Sequence, residues 1–242
     1  MDKDIFEAIK IELKNLSPQE GLAFISNRFR AKSVFSTSFG LEDQVITQMI
    51  ASAKLHIKIF TLDTGRLFQE TYDVFDLTVK KYDLSIATYA PQTSSVEDLL
   101  ARKGPNSFYE SIENRKECCF IRKVQPLQRA LSSAEVWITG VRADQSTNRA
   151  SMEIVEWDEQ RQLIKYNPIL YWSLDDVASY ISENNIPVNT LHKKGFPSIG
   201  CAPCTRAVLH EEDARAGRWW WESSSKECGL HQRKTETSNR SL

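Results

Sequence analysis

The chain has 242 residues, with 31 Lys and Arg against 32 Asp and Glu and a formal net charge of −1. That balance argues against a nucleic-acid coat or a membrane-surface protein, while leaving room for a local basic pocket. A chain of this length can bury a real core, as one large domain or two small ones.

The amino terminus, MDKDIFEAIKIELKNL, is charged and amphipathic, unlike a signal peptide, and no apolar run approaches ~18 residues. The expectation is a soluble, cytoplasmic protein with neither a membrane nor a nucleic-acid partner. Ser17-Pro18-Gln19-Glu20 has the form of a capping box with proline at the first helical position, so a helix should run to about Arg30. SVFST (33–37) reads as a short buried strand and LEDQVITQMIAS (41–52) as a helix. HIKIFTL (56–62) predicts a strand, RLFQETYDVFDLTVKKY (66–82) a helix and LSIATYA (84–90) another strand. A helical stretch around Cys118 and Cys119 leads to the strand EVWITG (135–140). Strands alternating with helices predict an α/β fold with a doubly wound, mainly parallel sheet and sites at the carboxyl ends of strands.

From about residue 150 the pattern changes. MEIVEWD and QLIKYNPI read as a hairpin, Ser173 caps LDDVASYISENN, and a Pro/Gly-punctuated stretch (187–204) reaches a CxxC pair. TRAVLHEEDARAGRWWW (205–221) reads as a helix with Arg215 and Arg218 on one side, able to clamp a phosphate or sulfate. The expected organisation is one domain over 1–222 and a polar carboxyl-terminal tail over 223–242, mobile enough to carry a reactive side chain.

Two strand-end motifs suggest nucleotide chemistry. STSFGLED (36–43) follows a strand and opens a helix, where small hydroxyl residues and a glycine let backbone N–H groups face an anion. It is not a Walker A loop, since no Gly-Lys-Ser/Thr follows, and an ordinary strand-to-helix turn is the alternative. LDTGRLF (62–68) offers a carboxylate and a hydroxyl for a ribose or an adenine edge, against the alternative of a helix cap.

The five cysteines fall as Cys118-Cys119, Cys201-Ala-Pro-Cys204 and Cys228. Four thiolates in two pairs are enough for zinc or a [4Fe-4S] cluster, and spacing does not choose between them; a thiol redox pair and buried inert cysteines are the alternatives. Arg115, Lys116, Arg122 and Lys123 crowd the first pair and would offset thiolate charge. Cys228 sits in KECGLH, where Lys226 and His231 favour a thiolate, Glu227 opposes it, and Gly229 frees the backbone. It reads either as an incidental tail cysteine or as a nucleophile on an arm that visits a substrate and then a partner.

Taken in order, SFG, LDTGR, KECC, GVRADQS, GCAPCTR, GRWWWE and KECGLH resemble the assimilatory sulfonucleotide reductases, specifically the bacterial adenylylsulfate (APS) reductases. The resemblance runs from about residue 33 to 231. It implies the adenine-nucleotide alpha-hydrolase (ATP pyrophosphatase-like) fold, with Ser36, Thr37, Ser38, Phe39 and Gly40 as the modified phosphate loop. The nucleotide would lie against that loop, against Leu62, Asp63, Thr64 and Gly65, and against Gly140 and Arg142. Lys123, Arg215 and Arg218 would meet the phosphosulfate, and Arg149, in the loop after ADQS, is carried over as a further contact. The resemblance assigns Cys118, Cys119, Cys201 and Cys204 to one [4Fe-4S] cluster. It makes Cys228 the catalytic nucleophile that accepts sulfur as S-sulfocysteine, releasing AMP and then sulfite, in sulfate assimilation and cysteine biosynthesis. Members that use the 3′-phosphorylated nucleotide (PAPS) typically lack the four cysteines, so their presence favours APS, with a PAPS or dual reductase as the alternative. No thioredoxin-like domain follows His231, so a separate thioredoxin is the expected electron donor; assembly as a homo-oligomer is left open. Two rivals fit less well: an ATP-using thiolation enzyme would want an SGGxDS-like loop where Phe39 stands, and a cluster-bearing redox sensor leaves the nucleotide motifs unused.

Overall fold

The structure is a computed structural model that describes residues 3–146, 149–209 and 212–222. Six strands are formed by Ser33–Thr37 (β1), Lys58–Leu62 (β2), Ile86–Tyr89 (β3), Val136–Ile138 (β4), Val155–Asp158 (β5) and Leu163–Tyr166 (β6). They lie in one sheet in the order β3-β2-β1-β4-β6-β5. All neighbours are parallel except the β5–β6 hairpin, where Val155 opposes Tyr166 and Asp158 opposes Leu163. The chain runs outward from β1 in both directions, so the crevice where the order reverses lies between the carboxyl ends of β1 and β4.

Adjacent strand residues point to opposite faces, and here both faces are covered. Phe35, Ile59, Val136, Ile138 and Ile164 join one core with α1 (Lys3–Lys14), α2 (Pro18–Phe29), α3 (Leu41–Ser52) and α8 (Leu174–Glu183). Val34, Phe60, Trp137 and Leu163 join the other with α7 (Gln125–Leu131) through Leu127 and Leu131. The local signals hold at the helix starts. Ser17 and Glu20 cap each other at α2, and Ser173 and Asp176 do so at α8.

Two elements differ from the sequence reading. Helix α4 starts at Gln69 (Gln69–Tyr82) rather than 66, because Asp63-Thr64-Gly65 is used in a turn with Gly65 at φ 67. A further helix, α5 (Thr93–Lys103), buries only Leu99 and so has little apolar periodicity to announce it. The cysteine pair ends α6 (Ile112–Cys119), which passes through a π-helical turn at Phe120–Val124 into α7.

Candidate active site

The β1–α3 turn occupies the crevice, but its polar groups turn inward. The Ser38 N–H and hydroxyl both donate to one carboxylate oxygen of Asp43, at 2.6 and 2.7 Å. The Phe39 N–H donates to the Thr37 hydroxyl, and the Ser36 hydroxyl accepts from the Trp137 indole. Phe39 adopts φ 59 and stacks its buried ring on Phe75 at 4.7 Å. Gly40 starts α3 with no side-chain cap. Asp43 therefore holds the loop from beneath, and burial pushes its carboxyl up to about 6 despite the two Ser38 hydrogen bonds. The loop contains the expected residues, but Ser38 is a structural donor to this chain's own carboxylate.

Across the crevice Gly140 leaves the space that Asp43 fills, since a Cβ there would lie 2.2 Å from an Asp43 carboxylate oxygen. Arg142 is buried and donates from Nε to Glu42 at 2.8 Å and from Nη1 to Asp144. Gln145 donates to the same Glu42 oxygen and accepts from Arg149. Gly140, Arg142 and Arg149 are thus brought to the β1–α3 turn, joined to it through Glu42 and Asp43.

The turn after β2 faces two ways. The Asp63 carboxylate accepts from the Gly65 N–H at 2.8 Å and from the Tyr72 hydroxyl at 2.9 Å, a local turn-closing role. Thr64 reaches the cysteines, with its hydroxyl 3.3 Å from the Cys201 sulfur. Its carbonyl accepts from Arg122 of the π-helical turn at 2.7 Å, and the Arg66 carbonyl accepts the Ala202 N–H at 2.8 Å. LDTGR therefore joins the β2 end to both cysteine segments.

Cys118, Cys119, Cys201 and Cys204 line one pocket together with Arg66, Arg115, Arg122 and Lys123. None of the four is in a disulfide. Burial pushes the Cys201 thiol up, but Lys123, the Thr64 hydroxyl and Arg218 outweigh it and hold it below the ordinary thiol value. Burial, with Cys201 alongside, pushes Cys204 up to about 12, and burial also raises Cys118. A pocket of four thiols and four cations suits an anionic, sulfur-bound group. The indole N–H groups of Trp219 and Trp221, packed against the cysteines, are buried without a hydrogen-bond acceptor among the described residues, as suits such a group. Among the described residues no three His, Cys, Asp or Glu side chains are grouped to hold a single metal ion. Tetrahedral zinc with bonds of ~2.3 Å would draw its sulfurs to roughly 3.8 Å of one another. Four thiols are a donor set that zinc or a multi-iron cluster would use.

Two expectations are corrected here. The described residues of 205–221 form no helix: turns lead to an isolated antiparallel bridge between Thr205 and Arg218. Gly217 lies where a Cβ would meet the Arg206 carbonyl at 2.2 Å, and Trp219 takes φ 42. Docking on the CxxC loop, through the Trp219 N–H to the Cys204 carbonyl at 3.2 Å, replaces helical bonding. Arg218 is buried over the Trp219 ring at 4.9 Å and packs on Gly200, whereas Arg215 is half-buried in a turn capped by Asp213. Lys116, expected beside the cysteines, is exposed and does not line the pocket. Arg66 was missed as a pocket cation, and the only signal for it was its place at the end of LDTGR. Cys228 and the rest of the tail lie outside the described residues.

The phosphoadenosine phosphosulfate reductase domain family matches residues 32–207. An adenosine 5′-phosphosulfate reductase of Sinorhizobium fredii is 47% identical over 226 residues, 93% of this chain and 90% of that protein. A crystal structure of phosphoadenylyl-sulfate reductase from Candida auris, a phosphate complex, is 30% identical with a TM-score of 0.73, covering 86% of this chain and 98% of that one. The FMN adenylyltransferase of Candida glabrata, in complex with FAD and inorganic pyrophosphate, has a TM-score of 0.54 at 15% identity, covering 91% of this chain and 75% of that one. That last likeness is one of fold, the adenine-nucleotide alpha-hydrolase-like sheet.

Proposed function

The chain belongs to the phosphoadenosine phosphosulfate reductase family, and on that premise we propose that it reduces APS to sulfite and AMP with Cys228 as its nucleophile. The observation that carries this reading is the pocket of four disulfide-free cysteines and four cations tied to the turn after β2. The name borne by the relative from S. fredii supports APS as substrate.

In this reading the nucleotide lies in the crevice between Ser36–Gly40 and Gly140, with Leu62–Gly65 along its side. Arg142 and Arg149 brace that crevice through Glu42 and Gln145. Lys123, Arg215 and Arg218 neutralise the phosphosulfate, and Arg218 has an Nε without an acceptor among the described residues. The Cys228 thiolate attacks the sulfur of APS, forming an S–S bond as the bond from that sulfur to the phosphate oxygen breaks. AMP leaves with the electron pair, so its departure needs no proton. A thiolate of a dithiol protein, thioredoxin, then attacks the Cys228 sulfur and expels sulfite. The second thioredoxin thiol resolves the mixed disulfide, so the two electrons come from the dithiol and Cys228 is regenerated.

Cys118, Cys119, Cys201 and Cys204 would hold a [4Fe-4S] cluster, which supplies local charge and a rigid link between the two cysteine segments when bound. Lys123 bonds Cys201, and that contact supports a role for it at the boundary between the sulfurs and the substrate. An APS-dependent sulfite assay with thioredoxin tests the reading, with PAPS run in parallel. Turnover of APS at least tenfold faster than PAPS is expected. Sulfite from PAPS alone would replace the reading with its 3′-phosphorylated alternative, and sulfite from neither would reject it.

A further inference from the structure

Arg115 and Glu222 form a buried ion pair that no step above uses. The Arg115 Nε and Nη2 donate to the two Glu222 carboxylate oxygens, each at 2.8 Å, and each side chain is 5% exposed. A bidentate pair of this kind fixes orientation as well as distance. Arg115 stands one helical turn before Cys119, hydrogen-bonds to its sulfur, and lies 4.7 Å from the Trp219 ring. The Glu222 N–H closes a turn onto the Trp219 carbonyl at 2.9 Å. The Trp219 N–H in turn bonds the Cys204 carbonyl. The stretch 218–222 is therefore sewn to the CxxC loop at one end and to the Cys118-Cys119 helix at the other. Cys228 follows Glu222 by six residues, a length of chain that spans at most ~20 Å fully extended.

We propose that the Arg115–Glu222 pair is the anchor of the nucleophile's segment: it fixes where the six-residue approach to Cys228 begins, relative to both cysteine pairs. Glu222 is then a positioning residue for sulfur transfer, acting through the place from which Cys228 must reach the phosphosulfate. The effective concentration of a tethered group depends on the span its tether must cover. Breaking the pair removes the fixed point from which the chain to Cys228 departs, without touching the substrate's own contacts. The proposal rests on the assignment of Cys228 as nucleophile, and its test separates the two.

The experiment compares wild type, Glu222→Gln and Glu222→Asp as full-length, iron-loaded protein. Three measurements are made: single-turnover transfer of sulfur label from APS to the protein, APS affinity, and the rate of tryptic cleavage at the Arg218–Trp219 bond. Glu222→Gln removes the charge with little change of shape. It should slow label transfer at least tenfold, leave APS affinity within twofold and speed cleavage after Arg218 about tenfold. Glu222→Asp, which keeps a carboxylate, should retain iron and recover most of the transfer rate, and it carries the test if Glu222→Gln does not fold. Wild-type transfer and cleavage rates in a folded Glu222→Gln, or a Glu222→Asp protein that retains iron but transfers no faster than Glu222→Gln, overturn the anchor. If wild-type protein takes no label from APS, the nucleophile assignment fails instead, while the cleavage rates still decide whether the pair holds the segment.

Discussion

The Thr64 hydroxyl lies 3.3 Å from the sulfur of Cys201, linking the turn after β2 to the second cysteine pair. The same hydroxyl accepts the Arg66 N–H at 3.2 Å. Thr64→Val keeps the shape and removes both bonds. Leaving a buried N–H unpaired costs about 1–3 kcal/mol. The Arg66 N–H is only partly buried, so the variant should lose at most about 1 kcal/mol of stability in urea titrations, and it should lose iron to a chelator several-fold faster than wild type. An unchanged iron-release rate would show that the hydroxyl does not support the cysteine site.

Asp43 gives a stability signature with a defined sign. Its carboxyl is pushed up to about 6 by burial, against about 3.9 for an unperturbed aspartate. The folded protein thus holds this proton more tightly than the unfolded chain, and stability is lost as pH rises from about 4 to about 6, then levels. Asp43→Asn lacks this proton. Relative to wild type it should gain about 2–3 kcal/mol between pH 4 and pH 7, at 1.36 kcal/mol per pKa unit. Urea titrations of both proteins at the two pH values check this, and a difference that does not change with pH contradicts it.

Gly140 must be glycine for a reason of space. An alanine Cβ would stand 2.2 Å from the Asp43 carboxylate and 3.2 Å from its backbone nitrogen. Gly140→Ala should cost about 1–3 kcal/mol, the usual range for overpacking, and weaken AMP binding at least tenfold by moving the Ser38–Asp43 loop. Calorimetric titration with AMP measures the second effect.

Serine at Cys118, Cys119, Cys201 or Cys204 should each abolish iron and sulfide retention, since every one of the four lines the same pocket. Chemical analysis of wild type should give about four irons per chain. One zinc and no sulfide would instead return the site to the zinc reading.

Much of this was legible in the sequence because it is local. The capping boxes at Ser17 and Ser173, and the alternation that sends Val34 and Phe35 to opposite cores, are written in neighbouring residues. The two cysteine pairs were legible as candidates for one site, and the structure brings Cys118 and Cys201, 83 positions apart, to the same pocket. What failed was decided by distant contacts. Residues 205–221 have helix-compatible composition, yet Gly217 and Trp219 are set by the Arg206 and Cys204 backbone they pack against. In the β1–α3 turn, the bonding of Ser38 to Asp43, five residues on, was not foreseen from the sequence. Arg115 was read for its charge beside the cysteines, and its pairing with Glu222 across 107 residues was invisible.

The most direct test of the account is the fate of the substrate's sulfur. Wild-type protein is mixed with APS labelled in the sulfonyl sulfur, without thioredoxin, and the adduct is located by mass spectrometry of its peptides. One S-sulfocysteine per chain should form, at Cys228, and be released as sulfite when reduced thioredoxin is added. Cys228→Ser should bind APS and keep its iron but take up no label. Label on Cys228→Ser, or an adduct on any other cysteine of the wild type, would contradict the assignment of Cys228 as nucleophile.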